Sequence, residues 1–337
     1  MKSKITLKEL AKILNVSIST VSKALNGSPE ISEHTIKRVK ELAELHNYSP
    51  NLTARNLKRQ STGNIAVIVP NISNTFFAKV LGGIETEARK RGYQIITYIS
   101  NESLIVEKQI MKLISNGLAD GIMISVSAET QTTKNYDHIN TLTELGLPIV
   151  LFDRINIKLG LDKVGVNDMQ SIYNAVQYLK AKGLTKIGLV CSIGDLGLGQ
   201  ERIEGYKFAM NTVKAASKEE FLLISNDAEV LREKLYLLLE NHKIEAFVTL
   251  DYLSTFLTSR VVQEKKRKIP KDIKIIGYVN EDFAPFLCPS ISYIDQHPSK
   301  IGEAATQLLI ERMKNPKLKQ SEEKIIRTEI IHLDSTH

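Results

Sequence analysis

Ser17, Ile18, Ser19, Thr20, Ser22 and Lys23 crowd into one seven-residue stretch. Short hydroxyl and aliphatic tips with one cation suit a DNA major groove, where hydroxyls reach phosphates or base edges and a lysine reaches guanine. A second set of residues, Asp153, Arg154 and Arg202, offers one carboxylate and two guanidinium groups. Converging on a cleft, these would hold a polyhydroxylated or anionic small molecule through bidentate hydrogen bonds, or else form a salt bridge that only sets closure. Catalytic chemistry finds little support. There is no Gly-x-Ser-x-Gly elbow and no phosphate-binding Walker loop, and Gly194-x-x-Gly197-x-Gly199 has the wrong spacing for a dinucleotide fingerprint. Seven histidines include no His-x-His or His-x-x-x-His pair, so neither a metal site nor a cofactor is expected. The expectation is a binding protein and not an enzyme.

Charge says what the first set binds. Residues 1–60 carry eight Lys and three Arg against five Glu, an excess of six, whereas the rest of the chain carries 34 basic and 33 acidic side chains. A basic module on a neutral body points to a polyanion partner. No apolar run approaches the roughly 18–20 residues of a membrane span. The stretch Met1–Glu9 meets charge every few residues, which argues against a signal peptide, and two cysteines cannot make a disulfide framework in 337 residues. A reducing cytoplasm is the expected compartment.

Three short helices must position the groove-facing residues. Thr6-x-x-Glu9 is a capping box ahead of Leu7, Leu10, Ala11 and Leu14 at helical spacing. Asn15-Val16 interrupts that helix, and Ser17 opens a second, which turns Val21, Ala24 and Leu25 inward and stops at Asn26-Gly27-Ser28-Pro29. Ser32 caps a third, with Ile36, Val39, Leu42 and Ala43 on its inner face. Two short helices joined by a tight turn and closed by a third make a helix-turn-helix unit.

The run Val16-Ser17-Ile18-Ser19-Thr20-Val21-Ser22-Lys23-Ala24-Leu25-Asn26 closely resembles the recognition-helix signature of the lactose/galactose repressor family. Leu7–Ala11 before it and Asn47–Asn51 after it fall where that family has them. The resemblance implies that Ile18, Ser19 and Lys23 meet base edges, while Thr20, Ser22 and Asn26 hold phosphates. Lys23 stands where most relatives have Arg, so guanine discrimination without a bidentate fork is softer. In that family residues 50–61 form a hinge helix that lies in the minor groove, with Leu57 wedging between base steps. A stretch of two turns is barely stable alone and needs a partner. The implied DNA-facing set is Thr6, Ser17, Ile18, Ser19, Thr20, Ser22, Lys23, Asn26, Asn51, Ala54, Arg55, Leu57 and Lys58.

From Ile65 onward, short apolar runs alternate with amphipathic helical stretches, the mark of parallel sheets covered by helices on both faces. Too many strands for one sheet, with a loop-rich stretch near 153–165, predict two lobes. The fold class is therefore an all-α helix-turn-helix head and an α/β core of two doubly wound parallel-sheet lobes, periplasmic-binding-protein-like by the same resemblance. The expected divisions are a head at 1–49, a hinge at 50–61 and a core at 62–337. Within the core, the N-lobe takes about 62–161 plus 292–320, and the C-lobe about 162–291 plus 321–333. A single final strand is expected at 325–331.

Ligands in such folds bind beyond the carboxyl ends of strands, between the lobes. The expected effector set is Asn74, Phe76, Phe77, Asp153, Arg154, Arg202, Asp251, Asn280 and Gln296. Arg202 leads it, because Arg202-x-x-Gly205 matches the family's ligand arginine. Two departures bear on the ligand. Leu250-Asp251 stands where sugar-responsive relatives have Asn-Asp, and Gly277-Tyr278-Val279-Asn280 where they have Gly-Tyr-Asp or Gly-Phe-Asp. Hydroxyls left unpaired there would cost roughly 1–3 kcal/mol each, so the effector is sugar-like or partly apolar and not a simple sugar held in the usual way. The implied molecule is a homodimeric transcription regulator, a repressor in sign, on pseudo-palindromic double-stranded operator DNA, with no membrane partner. The rival is a periplasmic-type sugar-binding protein, which would need an export signal and would lack the first sixty residues.

Overall fold

The computed structural model describes residues 5–46, 48, 61–211, 221–316 and 320–337. The chain divides into two compact units, Met1–Thr62 and Gly63–His337.

In the first unit, α1 (Leu7–Leu14), α2 (Ile18–Leu25) and α3 (Glu33–Leu45) enclose Leu10, Ala11, Val21, Ala24, Val39 and Ala43. The Thr6 hydroxyl accepts from the Glu9 amide, and the Glu9 carboxylate accepts from the Thr6 amide at 2.7 Å, so two otherwise orphaned donors are satisfied reciprocally. Asn15 ends α1 in the left-handed region (φ 55°), which an Asn tolerates at a helix end. Ser17 and Ser32 cap the next two helices by accepting from Thr20 and Thr35 amides. Burying a core leucine or valine such as Leu10 or Val21 contributes roughly 1.5–3 kcal/mol, a large share of stability for so small a unit.

The second unit holds two sheets of six strands each. The first contains β1 (Asn64–Val69), β2 (Gln94–Ile99), β3 (Gly121–Ile124), β4 (Ile149–Phe152), β5 (Asp162–Val166) and β11 (Glu323–Ile326), in the order β11-β5-β4-β3-β1-β2, all parallel. The second contains β6 (Ile187–Cys191), β7 (Leu222–Ile224), β8 (Ala246–Thr249), β9 (Lys274–Gly277), β10 (Ser292–Asp295) and β12 (Glu329–Ile331), in the order β12-β10-β9-β8-β6-β7. There β12 alone runs antiparallel, against β10. Central strands such as β3, β4 and β8 are buried along their whole length, as helices on both faces require.

Three expectations about the lobes need correction. Residues 162–166 were assigned to the C-lobe, yet β5 pairs with β4 in the first sheet. Residues 292–295 were assigned to the N-lobe, yet β10 pairs with β9 in the second. The single strand at 325–331 is two strands in different sheets, broken at Arg327-Thr328. An apolar run marks a strand but not its neighbour. Sheet membership is set by which edge is open, and both β11 and β12 close edges left by earlier strands. The chain therefore passes between lobes three times, at Asn167, at Gln296-His297 and at Arg327-Thr328.

Candidate functional site

In the head, α2 buries Val21 and Ala24 and leaves Ser17, Ile18, Ser19 and Lys23 exposed. Ile18 is a large aliphatic side chain left half in solvent, 47% exposed, and so open to contact on the same face as Ser19 and Lys23. Ser17 carries two duties, since its hydroxyl also lies 2.7 Å from Ser19 Oγ and 2.8 Å from Thr20 Oγ1. Asn26 donates from Nδ2 to the Ser22 carbonyl at 2.8 Å, and Lys23 is ion-paired with Glu30. Thr6, placed in the DNA-facing set, is held in its capping box. Asn51, Ala54, Arg55, Leu57 and Lys58 lie outside the described residues.

In the core, Arg202 sits on the Gly197–Asn211 helix, buried, and donates from Nε to Asp168 Oδ1 at 2.5 Å and from Nη1 to the Leu250 carbonyl at 2.6 Å. Its guanidinium lies 3.7 Å above the centre of the Tyr278 ring. Gly205 makes this possible. A Cβ there would fall 2.2 Å from the Met169 carbonyl oxygen, so only glycine lets the helix abut the Asp168–Ala181 helix closely enough to set Arg202 against Asp168. Burial works against the Arg202 charge, but the Asp168 carboxylate outweighs it and holds the guanidinium firmly protonated. Asp168 was not anticipated; its only sequence signal is an acid in the first turn after a strand.

Across the lobes, Asp153 faces this pair. It follows β4 with φ 63°, accepts from Ser125 Oγ at 3.4 Å, and has its carboxyl pushed up to about 6, chiefly by burial and further by the Asp168 charge, against the pull of Arg154 and Arg202. Phe76, Asn280 and Gln296 line one small cavity with Tyr252, Tyr278 and Asp295. Its free volume is about 10 Å³, room for at most a single water, so this end of the cleft is filled by its own side chains. Lys79 of the Thr75–Lys90 helix reaches across to Glu281 at 2.5 Å and Asp282 at 2.7 Å. On the other side, the Gly197 amide donates to Gln131 Oε1 at 3.3 Å.

Other expected cleft residues are spent elsewhere. Arg154 forms a two-pronged pair with Glu102, both bonds at 2.7 Å, and donates to the Val126 carbonyl at 2.8 Å, all within the first lobe. Asp251 accepts four hydrogen bonds, from the amide and hydroxyl of Ser192 and of Ser254, at 2.6–2.9 Å. A carboxylate offers about four acceptor positions, so Asp251 caps the Tyr252–Glu264 helix and ties β6 to β8, and direct ligand contact gives way to positioning. Asn74 Oδ1 caps the Thr75–Lys90 helix through the Phe76 amide, and Phe77 packs edge-on to Phe76 within the first-lobe core. Leu250 likewise packs in the second-lobe core and contributes only its carbonyl. Among the described residues, no cluster of His, Cys, Asp and Glu could hold a metal ion, and no helix is long and apolar enough to cross a membrane.

Comparison with known proteins agrees with this division. Residues 6–51 match the model for bacterial regulatory proteins of the lacI family, and residues 176–336 match a periplasmic binding protein-like domain. Over 337 residues, 98% of this chain and 97% of the relative, the sequence is 30% identical to the HTH-type transcriptional repressor PurR of Vibrio cholerae serotype O1. The lac repressor dimer bound to operator and the anti-inducer ONPF shares the fold, with a TM-score of 0.85 at 16% identity over 99% of both chains. A LacI family transcriptional regulator from Enterococcus faecium with bound ribose is 26% identical, with a TM-score of 0.69 over 81% of this chain and 98% of its own.

Proposed function

The chain belongs to the lacI family of bacterial regulatory proteins, and from that premise we propose that its cleft takes a small, hydroxyl-rich effector on Arg202 and Asp153. It is a DNA-binding transcriptional regulator of the repressor type, and not an enzyme. The observation that carries the effector reading is the buried Arg202, which spends one face on Asp168 and Leu250 and another on Tyr278. A guanidinium fixed so tightly is pre-organised for a ligand that would slide between the lobes. Phe76, Asn280 and Gln296 supply one aromatic face and two amides to the cavity that is also lined by Tyr278, the ring on which Arg202 stacks. Val279 on that lining makes the wall more apolar than an acid side chain would, favouring a ligand with one apolar face. Ribose in the Enterococcus faecium regulator supports a sugar-like ligand class.

On DNA, Ile18, Ser19 and Lys23 read base edges, while Ser17, Thr20, Ser22 and Asn26 hold phosphates. In the hinge, Asn51, Ala54, Arg55, Leu57 and Lys58 contact the operator, and cleft closure alters the spacing of the paired hinges. Pairing comes from a homodimer on a two-fold-symmetric site, as in the lac repressor dimer. Leu253, Phe256, Phe283 and Phe286 of the second lobe are large apolar side chains left exposed, as a homodimer's covered face would supply. The cytoplasm is the compartment where such a protein meets its operator. A thermal-stability screen of the full chain against neutral sugars, sugar phosphates and nucleobases tests the effector reading. A neutral sugar should raise the melting temperature in the wild type and not in Arg202→Lys. An equal rise in both would place the ligand elsewhere.

A further inference from the structure

The three passages between lobes meet around a concavity of about 1090 Å³ that is separate from the cleft cavity. Asn167 lines it from the first passage, His297 from the second, and Arg327 and Thr328 from the third. The Ser171 and Thr328 hydroxyls, 2.8 Å apart, join the third passage to the second lobe at its floor. Lys300 also lines it, so a lysine and an arginine share the same concavity.

The charge here is not compensated. Among the described residues, neither Lys300 nor Arg327 has a carboxylate within ion-pair distance, whereas Arg154, Arg202 and Lys79 are each paired. His297 pairs with Asp295 at 2.9 Å, which leaves Glu329 as the acid on the lining. Two unpaired cations on a concave wall focus potential into it, and the Asn167, Gln170 and Asn174 amides add neutral donors. A Lys–Arg pair matches a phosphoryl group, one as a point charge and the other as a fork. The volume reaches the upper end of ordinary ligand pockets, roughly 300–1,000 Å³, so there is room for more than a bare ion.

We propose that this concavity is a second ligand site, distinct from the effector cleft, for a small phosphorylated metabolite whose phosphoryl group lies between Lys300 and Arg327. Because all three passages line it, an occupant is felt by the angle between the lobes and couples to cleft closure. That regulatory consequence rests on reading the core as an effector-responsive body; binding itself does not.

Isothermal titration calorimetry on the full chain, with excess non-specific duplex present to occupy the basic head, tests the site. The probes are glucose 6-phosphate, inorganic phosphate and glucose. Glucose 6-phosphate should bind once per chain, inorganic phosphate should compete more weakly, and glucose should not compete. The Lys300→Gln/Arg327→Gln double variant should lose at least about tenfold in affinity, equivalent to about 1.4 kcal/mol, and Glu329→Gln should gain. These side chains are on the surface, so the variants should keep wild-type circular dichroism. Arg202→Lys should still bind glucose 6-phosphate once per chain, whatever the coupling does to its affinity, which separates this site from the cleft. The proposal is overturned by the absence of phosphate-dependent heat, by undiminished affinity in the double variant, or by loss of binding in Arg202→Lys.

Discussion

The Arg202 guanidinium stacks on the Tyr278 ring at 3.7 Å while its Nε holds Asp168 at 2.5 Å. One side chain thus joins the N-terminus of the Asp168–Ala181 helix to the end of β9, and a buried carboxylate loses its only ion-pair partner among the described residues if the guanidinium goes. Arg202→Ala should cost about 3–5 kcal/mol of stability, read as a drop in the urea midpoint. Arg202→Lys keeps a charge near Asp168 but loses the fork and the stacking, and should cost less while abolishing the effector response.

Asp153 supplies a pH dependence. Its carboxyl titrates near 3.8 when unfolded and near 6 in the fold, so between those values the native state binds more protons. Stability from this group is therefore full below pH 4 and is lost as pH rises to 6, at a total of at most about 3 kcal/mol. Asparagine tolerates the left-handed backbone at this position. Asp153→Asn should thus remove that slope from a plot of unfolding free energy against pH, and an unchanged slope would assign it to another group.

Much of this architecture is legible in the sequence, where local rules decide. The capping box at Thr6-Glu9 and the spacing of Val21 and Ala24 define the head without help from any distant residue. The strands of the core show as apolar runs, but the sheet that each joins does not. β11 pairs with β5 at the far side of the fold, a contact between residues about 160 apart in sequence. The partners of charged groups are hidden for the same reason. Asp168 lies 34 residues from Arg202, and the Ser192 that occupies Asp251 lies 59 residues away, so no spacing rule reaches either.

The first-lobe helices depend on two glycines. A Cβ at Gly83 would fall 2.1 Å from the Ser299 carbonyl oxygen, and one at Gly302 would fall 2.2 Å from that of Val80. Both obstacles are backbone, so the Thr75–Lys90 and Pro298–Lys314 helices would have to move apart. Gly83→Ala and Gly302→Ala should each destabilise the core by about 1–3 kcal/mol, seen as a lower melting temperature. Gly82→Ala, with nothing within 4 Å of its Cβ, should be tolerated.

In the head, Lys23 is ion-paired with Glu30, which would compete with DNA for it if Lys23 reads a base edge. Lys23→Ala should weaken specific binding by about 1–3 kcal/mol and relax base preference at one position, whereas losing a phosphate contact weakens all sequences alike. Glu30→Gln frees the lysine and should raise affinity for DNA. Fluorescence anisotropy on matched and mismatched duplexes measures both, and a Lys23→Ala protein with unaltered preference would take α2 out of the groove.

The central claim is that ligand chemistry at Arg202 controls what the head does on DNA. The most direct measurement is the affinity of the full chain for a symmetric duplex selected from a random pool, titrated with whichever ligand stabilises the core. The wild type should change its affinity by at least about fivefold, within the usual range of allosteric coupling, and Arg202→Lys should bind the same duplex with no response. A ligand that saturates the wild-type cleft yet leaves duplex affinity unmoved would contradict the account.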